Sequence, residues 1–218
     1  MKKNKILFRF ALLFFMFSLF VFEGFTIVIE GINKEYAGKK LHFYRYSNPV
    51  TKEKVPVFVL DVDNKGNFKK EIKINTTTFV FCDFGIYRGM LFLEPEQKIE
   101  LLLPPLREKS FADKKNPFFQ PVEFWFNTKN GNQLNDRVAA FDSKLNQLTD
   151  KYFSELYFRN SKEIFDTIST SVKKEFKAEN GSIFKMHKKF RLKSIEADAF
   201  RLNPPQLAEV FNSADKVT

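Results

Sequence analysis

Hydrophobic and polar residues alternate along the first half of the chain, from residue 26 to residue 103. A spacing of two is that of a half-buried strand, because successive side chains of a strand point to opposite faces. The pattern predicts seven strands, separated by turn residues: Thr26–Ile32, Lys40–Tyr46, Val55–Asp63, Phe68–Ile74, Thr77–Phe84, Gly89–Leu93 and Lys98–Leu103. Short strands at regular intervals, with no helix-period stretch among them, predict an antiparallel β-sandwich.

After residue 132 the spacing of the hydrophobic residues changes to three and four, which is the period of an α-helix. The first predicted helix begins at Asn132 as its N-cap, and its apolar stripe is Leu134, Val138, Phe141, Leu145, Leu148, Tyr152 and Leu156. Asn160–Glu163 resembles a capping box that opens a second helix, Ser182 opens a third, and Asn203-Pro204 opens a fourth. We therefore predict an α+β fold, with a β-sandwich followed by an α-helical module of three to four helices.

These patterns divide the chain into four parts. Residues 1–24 are predicted to be a signal peptide or an N-terminal anchor, and residues 25–106 the β-sandwich domain. Residues 107–130 are predicted to be a linker with one short strand around Trp125, and residues 131–218 the helical module.

The N-terminal segment has the pattern of an export signal. A basic start, Met1–Arg9, precedes the 13-residue apolar run Phe10–Phe22, which is shorter than the ~20 residues of a membrane span and suits a signal-peptide core. Phe22 and Gly24 form a poor cleavage site, so a retained inner-membrane anchor through residues 10–22 is an alternative. A Phe-rich first helix of a cytoplasmic protein is a third. We predict export to the periplasm of a Gram-negative-type bacterium.

The composition limits the classes of molecule that the chain is expected to bind. The net charge is +10, but Lys2, Lys3, Lys5 and Arg9 belong to the predicted leader. The remaining excess favours loose contact with anionic surfaces and is too diffuse for a nucleic-acid reader. The 29 Phe residues are scattered along the chain. This distribution favours compositional drift of an AT-rich genome over a Phe-stacking function.

One concentrated basic cluster stands out in the predicted third helix. Its cations are Lys185, Lys188, Lys189, Arg191 and Lys193. They could bind phosphates or anionic lipid head groups, or contact a partner protein. The alternative is a solvated helix face. If the cluster is functional, an envelope protein or an anionic membrane surface is a better partner than nucleic acid, because export separates the chain from DNA.

The residues that usually carry catalysis or bind metals form no recognisable pattern. The lone cysteine, Cys82, lies in an apolar run and is predicted to be buried, a reactive thiol being the alternative. His42 and His187 fall in different modules, and structural roles are predicted for both. The turn Asp61–Gly66 fails as an EF-hand because Lys65 occupies a ligand position. We predict no catalytic residue, no metal and no cofactor, and the small-molecule ligand stays open.

Several short motifs resemble the N-terminal β-domain and helical segment of TlpA-type thioredoxin-like periplasmic proteins. They are Ile29–Ile32, Gly38–Leu41, Gly66–Phe68, Leu93–Glu96 with Ile99–Leu101, and Asn203–Asn212. In that family a redox domain with a Cys-x-x-Cys motif follows, and here it would lie beyond Thr218. The resemblance thus implies an accessory half without redox residues.

Two functions follow as hypotheses. The first is a non-catalytic exported envelope protein that binds a partner or ligand of unknown specificity. The alternative is a remnant or accessory half of a periplasmic thiol-disulfide oxidoreductase.

Overall fold

The computed structural model describes residues 25–48, 51–129, 133–177, 181–203 and 205–206. The predicted leader therefore lies outside the described residues, as do Asn132 and most of the predicted fourth helix. Within the described ranges, no helix has the length and hydrophobicity needed to cross a bilayer.

In the described part of the chain, nine strands form two sheets that face each other. They are β1 (Phe25–Ile32), β2 (Lys40–Tyr46), β3 (Lys54–Asp61), β4 (Asn67–Ile74), β5 (Thr78–Phe84), β6 (Tyr87–Leu93), β7 (Lys98–Leu102), β8 (Val122–Trp125) and β9 (Asn127–Thr128). One sheet has the order β4-β1-β7-β9 and the other β3-β2-β5-β6-β8. The α+β fold predicted from the spacing is confirmed.

Two of the strand pairs are parallel, while the others are antiparallel. Strand β7 runs parallel to β1, and β8 runs parallel to β6. A spacing of two identifies a strand but does not give its direction relative to its neighbour, so the sequence pattern could not distinguish these pairs. Strands β8 and β9, from the predicted linker, each extend a different sheet, and buried Phe126 lies between them.

The core of the sandwich is aromatic and closely packed. Phe43 stacks on Phe58 with ring centroids 4.4 Å apart, and Phe84 stacks on Phe126 at 6.0 Å. A Cβ atom at Gly89 would lie 2.3 Å from the Phe126 ring, so the absence of a side chain there lets this ring pack against β6. Cys82 is fully buried in the same core, as predicted.

The turn between β3 and β4 is a tight connection from one sheet to the other. The Asp63 carboxylate accepts the backbone N–H groups of Lys65 and Asn67, both at 2.8 Å. Hydrogen bonds from Asn67 lower the pKa of this carboxyl. Gly66 has φ +87°, a conformation that glycine adopts without steric cost. The carboxylate oxygens serve the turn itself, and no cluster of metal-ligating side chains occurs in the described part of the chain.

The helical module follows the sandwich. It consists of α2 (Gln133–Lys151), a π-helical turn (Ser154–Phe158), α3 (Lys162–Glu175) and α4 (Ser182–Phe200), while the short α1 (Phe111–Lys115) precedes β8. The N-cap of α3 is Ser161, whose side chain accepts the Ile164 N–H, and not Asn160 as predicted. Asn160 instead has φ +50° and donates its side-chain amide to the Ala199 carbonyl. Likewise, Gly181 and not Ser182 is the N-cap of α4.

The helices pack against the outer face of the five-stranded sheet. Phe92 on β6 and Trp125 on β8 are stacked at 5.3 Å and contact the helical core. Asn135 of α2 is fully buried there. Its amide accepts the Phe92 N–H at 2.8 Å and donates to the Phe92 carbonyl at 3.3 Å. This pair of bonds fixes the first turn of α2 to a strand of the sandwich.

Candidate functional site

A groove of about 430 Å³ runs between α3 and α4. Its floor is apolar and comes from all three long helices: Phe141 of α2, Phe165 of α3 and Leu192 of α4. Both α3 and α4 pack on α2, and the groove lies between them. A binding site at such a place, between the helices of a bundle, is common among small-molecule sites.

Six lysines line this groove, two from α3 and four from α4. Helix α3 provides Lys162 and Lys173, on the same face as Phe165 and Ser169. Helix α4 contributes the other four: Lys185, Lys188, Lys189 and Lys193. The 3.6-residue period of the helices therefore gathers charges that are far apart in the sequence.

The lysines differ in their partners. Lys162 pairs with Asp166 at 2.5 Å, and Lys193 pairs with Glu196 at 2.8 Å. Lys188 donates to the Phe176 carbonyl at 2.7 Å, a cation at the C-terminal end of α3 where the helix dipole is negative. Lys173 and Lys185 form no ion pair with any described residue.

The groove is strongly electropositive as a result. Among the described lining residues, six ammonium groups face two carboxylates, Asp166 and Glu196, which leaves an excess of four positive charges. Each of the two ion pairs joins side chains of the same helix, and exposed pairs of this kind contribute little to stability. The ammonium groups of these lysines can therefore turn toward a bound anion at a small cost in free energy. The arrangement suits phosphate or carboxylate groups over an apolar floor.

Helix geometry divides the predicted basic cluster into two parts. Lys185, Lys188, Lys189 and Lys193 line the groove. Arg191 does not, because it lies on the other side of α4 and faces α2 and the sheet. The sequence prediction grouped the five by their closeness along the chain, whereas a helix of 3.6 residues per turn separates them.

Arg191 belongs to a second polar cluster, between the sandwich and the helices. Its centre is Asp142 of α2, which accepts three hydrogen bonds or ion pairs. Trp125 Nε1 donates at 3.0 Å, His187 Nε2 lies at 2.9 Å, and Arg191 Nε donates at 3.1 Å. Arg191 also donates to Asn146, one turn further along α2, at 3.1 Å. These side chains line a cleft of about 310 Å³.

The charge state of Asp142 follows from these contacts. Burial alone would raise the pKa of Asp142, but the His187 and Trp125 hydrogen bonds and the Arg191 charge lower it overall. The carboxylate is therefore ionised at neutral pH and joins β8 to α4 through α2. A His-Asp pair can also act as a general base, but the cleft holds no Ser, Thr or Cys among its described lining residues.

The other residues singled out in the sequence lie apart. His42 is exposed and its ring stacks on Tyr44 at 6.4 Å. Cys82 is buried in the sandwich, and burial raises the pKa of its thiol. A thiol that is protonated and out of contact with solvent is poorly suited to thiol–disulfide exchange.

The Asp142 cluster makes stability depend on pH. A group whose pKa is lowered on folding stabilises the protein above its unfolded pKa, and this contribution is lost as the pH falls through the folded value. We expect Asp142→Asn to be less stable than the wild type at pH 7, with the difference shrinking as the pH drops below 3.8, the ordinary value for Asp. Chemical denaturation at several pH values measures this.

Asp150→Asn, which removes an exposed carboxylate from the same helix, provides the control and should differ little from the wild type at every pH. A deficit of the Asp142 variant that persisted unchanged at pH 2.5 would show that Asp142 acts through packing and not through its charge.

Sequence reasoning missed Lys162 and Lys173, as well as Asp142 and its link to His187. For the two lysines a signal existed: Lys162, Phe165, Ser169 and Lys173 fall on one face of a helix. For Asp142 and His187 no local signal exists, since 45 residues separate them along the chain.

Comparison of the chain with protein-family models, curated proteins and solved structures gave no match.

Proposed function

We propose that the chain is a non-catalytic binding module of the bacterial cell envelope, exported through its N-terminal segment, and that it binds a phosphate- or carboxylate-bearing ligand in the groove between α3 and α4. The TlpA-type resemblance is compatible with an accessory role of this kind. One observation carries the proposal. Six lysines surround an apolar floor, and only two carboxylates accompany them among the described residues that line the groove.

The shape of the groove favours a compact ligand. A volume of about 430 Å³ falls within the range of roughly 300–1,000 Å³ typical of small-molecule sites. A flat bilayer cannot follow the concave floor, and duplex nucleic acid needs an extended basic stripe. The floor residues Phe165 and Leu192 would contact an apolar part of the ligand, while Lys173 and Lys185 contact its charged groups.

The test is binding of pyrophosphate and of dodecyl phosphate, measured by isothermal titration calorimetry at low salt. Lys173→Gln/Lys185→Gln removes two charges that have no ion-pair partner among the described residues. We expect this variant to bind about tenfold more weakly or worse, since one charge-assisted hydrogen bond contributes about 1.5–3 kcal/mol. Affinity should also fall as salt is raised.

The matched control is Lys65→Gln/Lys73→Gln, which removes the same charge from the exposed surface of the sandwich. It should retain wild-type affinity. Equal weakening by the two double variants would mean that only net charge matters, and an absence of binding to both anions would refute an anion site. Dodecyl phosphate binding more tightly than pyrophosphate would assign a role to the apolar floor.

A further inference from the structure

Two phenylalanine side chains are largely exposed to solvent. Phe118 is 82% exposed and Phe111 is 74% exposed, the highest values among the large hydrophobic side chains of the described residues. Both lie in the segment between β7 and β8. Large exposed aromatic side chains, when several lie close together, mark contact sites for other molecules.

The segment between β7 and β8 is a loop whose two ends are both hydrogen-bonded to Ile86. Ile86 donates its N–H to the Arg107 carbonyl at 3.0 Å, and its own carbonyl accepts the Val122 N–H at 2.9 Å. Residues 108–121 therefore leave the sandwich and return to it at Ile86, as in an Ω-loop. Phe111 and Phe118 lie in the middle of this excursion, which we call the aromatic loop.

The loop has a defined shape that does not depend on burying its aromatic rings. Helix α1 within it has no buried residue. It is held by a capping box, in which Ser110 and Asp113 exchange side-chain and backbone hydrogen bonds of 3.0 and 3.1 Å. Asn116 then turns the chain by accepting the Phe118 N–H at 2.9 Å. The fold thus presents Phe111 and Phe118 to the outside.

Cations accompany the rings. The Lys115 ammonium lies 4.3 Å from the centre of the Phe111 ring, and the Lys109 ammonium lies 4.1 Å from that of Phe119. Residues 108–121 hold three basic side chains against Glu108 and Asp113. Glu108 is paired with Lys39, the residue before β2, at 2.7 Å. The loop is therefore cationic as well as aromatic.

A second exposed aromatic pair provides a comparison. Phe153 and Phe158, at the π-helical turn, are 49% and 73% exposed. Residues 150–159 contain two acidic and two basic side chains and carry no net charge. The aromatic loop and the π-helical turn therefore both expose phenylalanine. Of these two segments, the aromatic loop is the one that also has an excess of positive charge.

We propose that the aromatic loop binds the surface of an anionic lipid bilayer, with Phe111 and Phe118 inserted at the level of the head groups. Aromatic rings at the interface and lysines that extend toward anionic head groups are the two elements of peripheral membrane contact. The positive charge of the loop complements such a surface. This inference is independent of the ligand groove, which lies in the helical module.

The test places an environment-sensitive fluorophore in the loop of the full-length chain. Ala112→Cys provides an attachment point beside Phe111, and the native Cys82 is buried and so does not compete for the dye. Vesicles of phosphatidylcholine with phosphatidylglycerol should shift the emission to shorter wavelength, and vesicles of phosphatidylcholine alone should shift it less. The shift should weaken at high salt.

Two further variants make the experiment decisive. Adding Phe111→Ser/Phe118→Ser should raise the lipid concentration for the half-maximal shift about tenfold or more, because two apolar side chains no longer enter the interface. A dye at Ser154→Cys, between Phe153 and Phe158, is the matched control and should not shift. Circular dichroism establishes that each variant is folded.

Three results would overturn the proposal. The first is an absent shift at position 112 with anionic vesicles, and the second is an equal shift at positions 112 and 154. The third is a shift that grows with protein concentration in the absence of lipid, which would instead identify the loop as a contact between two copies of the chain.

Discussion

Replacing Phe141 with alanine is expected to lower the free energy of unfolding by about 3–5 kcal/mol, the usual cost of removing a fully buried phenylalanine. Phe141 is 0% exposed. Its ring lies edge-to-face against Phe176 at 5.4 Å and Phe184 at 6.0 Å, and it contacts the His187 ring at 6.0 Å. These neighbours come from α4 and from the C-cap of α3, so no single element can move in to fill the cavity.

Urea denaturation followed by circular dichroism and by Trp125 fluorescence measures this loss. Phe153→Ala, beside the π-helical turn of the same module, serves as the control. Phe153 is half exposed, so its loss should cost less than about 1 kcal/mol. A Phe141 variant with nearly wild-type stability would contradict the central place of this ring in the helical core.

Asn135→Ala is expected to destabilise the protein by about 2–4 kcal/mol. The variant leaves the Phe92 N–H and carbonyl without the two bonds that Asn135 provides at 2.8 and 3.3 Å. Each buried polar group that loses its partner costs about 1–3 kcal/mol. Because Asn135 joins α2 to β6, the variant should also loosen the docking of the helices on the sheet.

The loss of docking can be separated from a simple loss of stability. If helices and sandwich separate, circular dichroism at 222 nm and Trp125 fluorescence should give different urea midpoints in the variant and a shared midpoint in the wild type. Gln147→Ala, an exposed position on α2, is the control and should leave both midpoints unchanged. A fully stable Asn135 variant would mean that side-chain bonds to Phe92 contribute nothing to docking.

The order of elements could be predicted from the sequence because hydrophobic spacing is local. The spacing of two that relates Ile27 to Ile29 and Leu41 to Phe43 appears again as the buried face of β1 and β2. The parallel pairing of β1 with β7 could not be predicted, since it depends on the path of the chain between the two sheets.

The groove was only half visible in the sequence. Lys185–Lys193 forms a dense basic run, whereas Lys162 and Lys173 are eleven residues apart and become neighbours of that run only when α3 and α4 pack on α2. The Asp142 cluster could not be predicted from the sequence at all. Its members Trp125, Asp142 and His187 come from a strand and two helices, and tertiary packing alone brings them together.

Phe141 and Asp142, adjacent on α2, face different sites: one forms the floor of the lysine groove, and the other accepts the Trp125 indole N–H at 3.0 Å. Trp125 is the sole tryptophan of the chain, and it also contacts His187 on α4. An anion that draws α4 toward α3 would displace His187 and change the surroundings of the indole. The protein therefore contains its own optical reporter, and a titration followed by ultraviolet emission can detect ligand without any label.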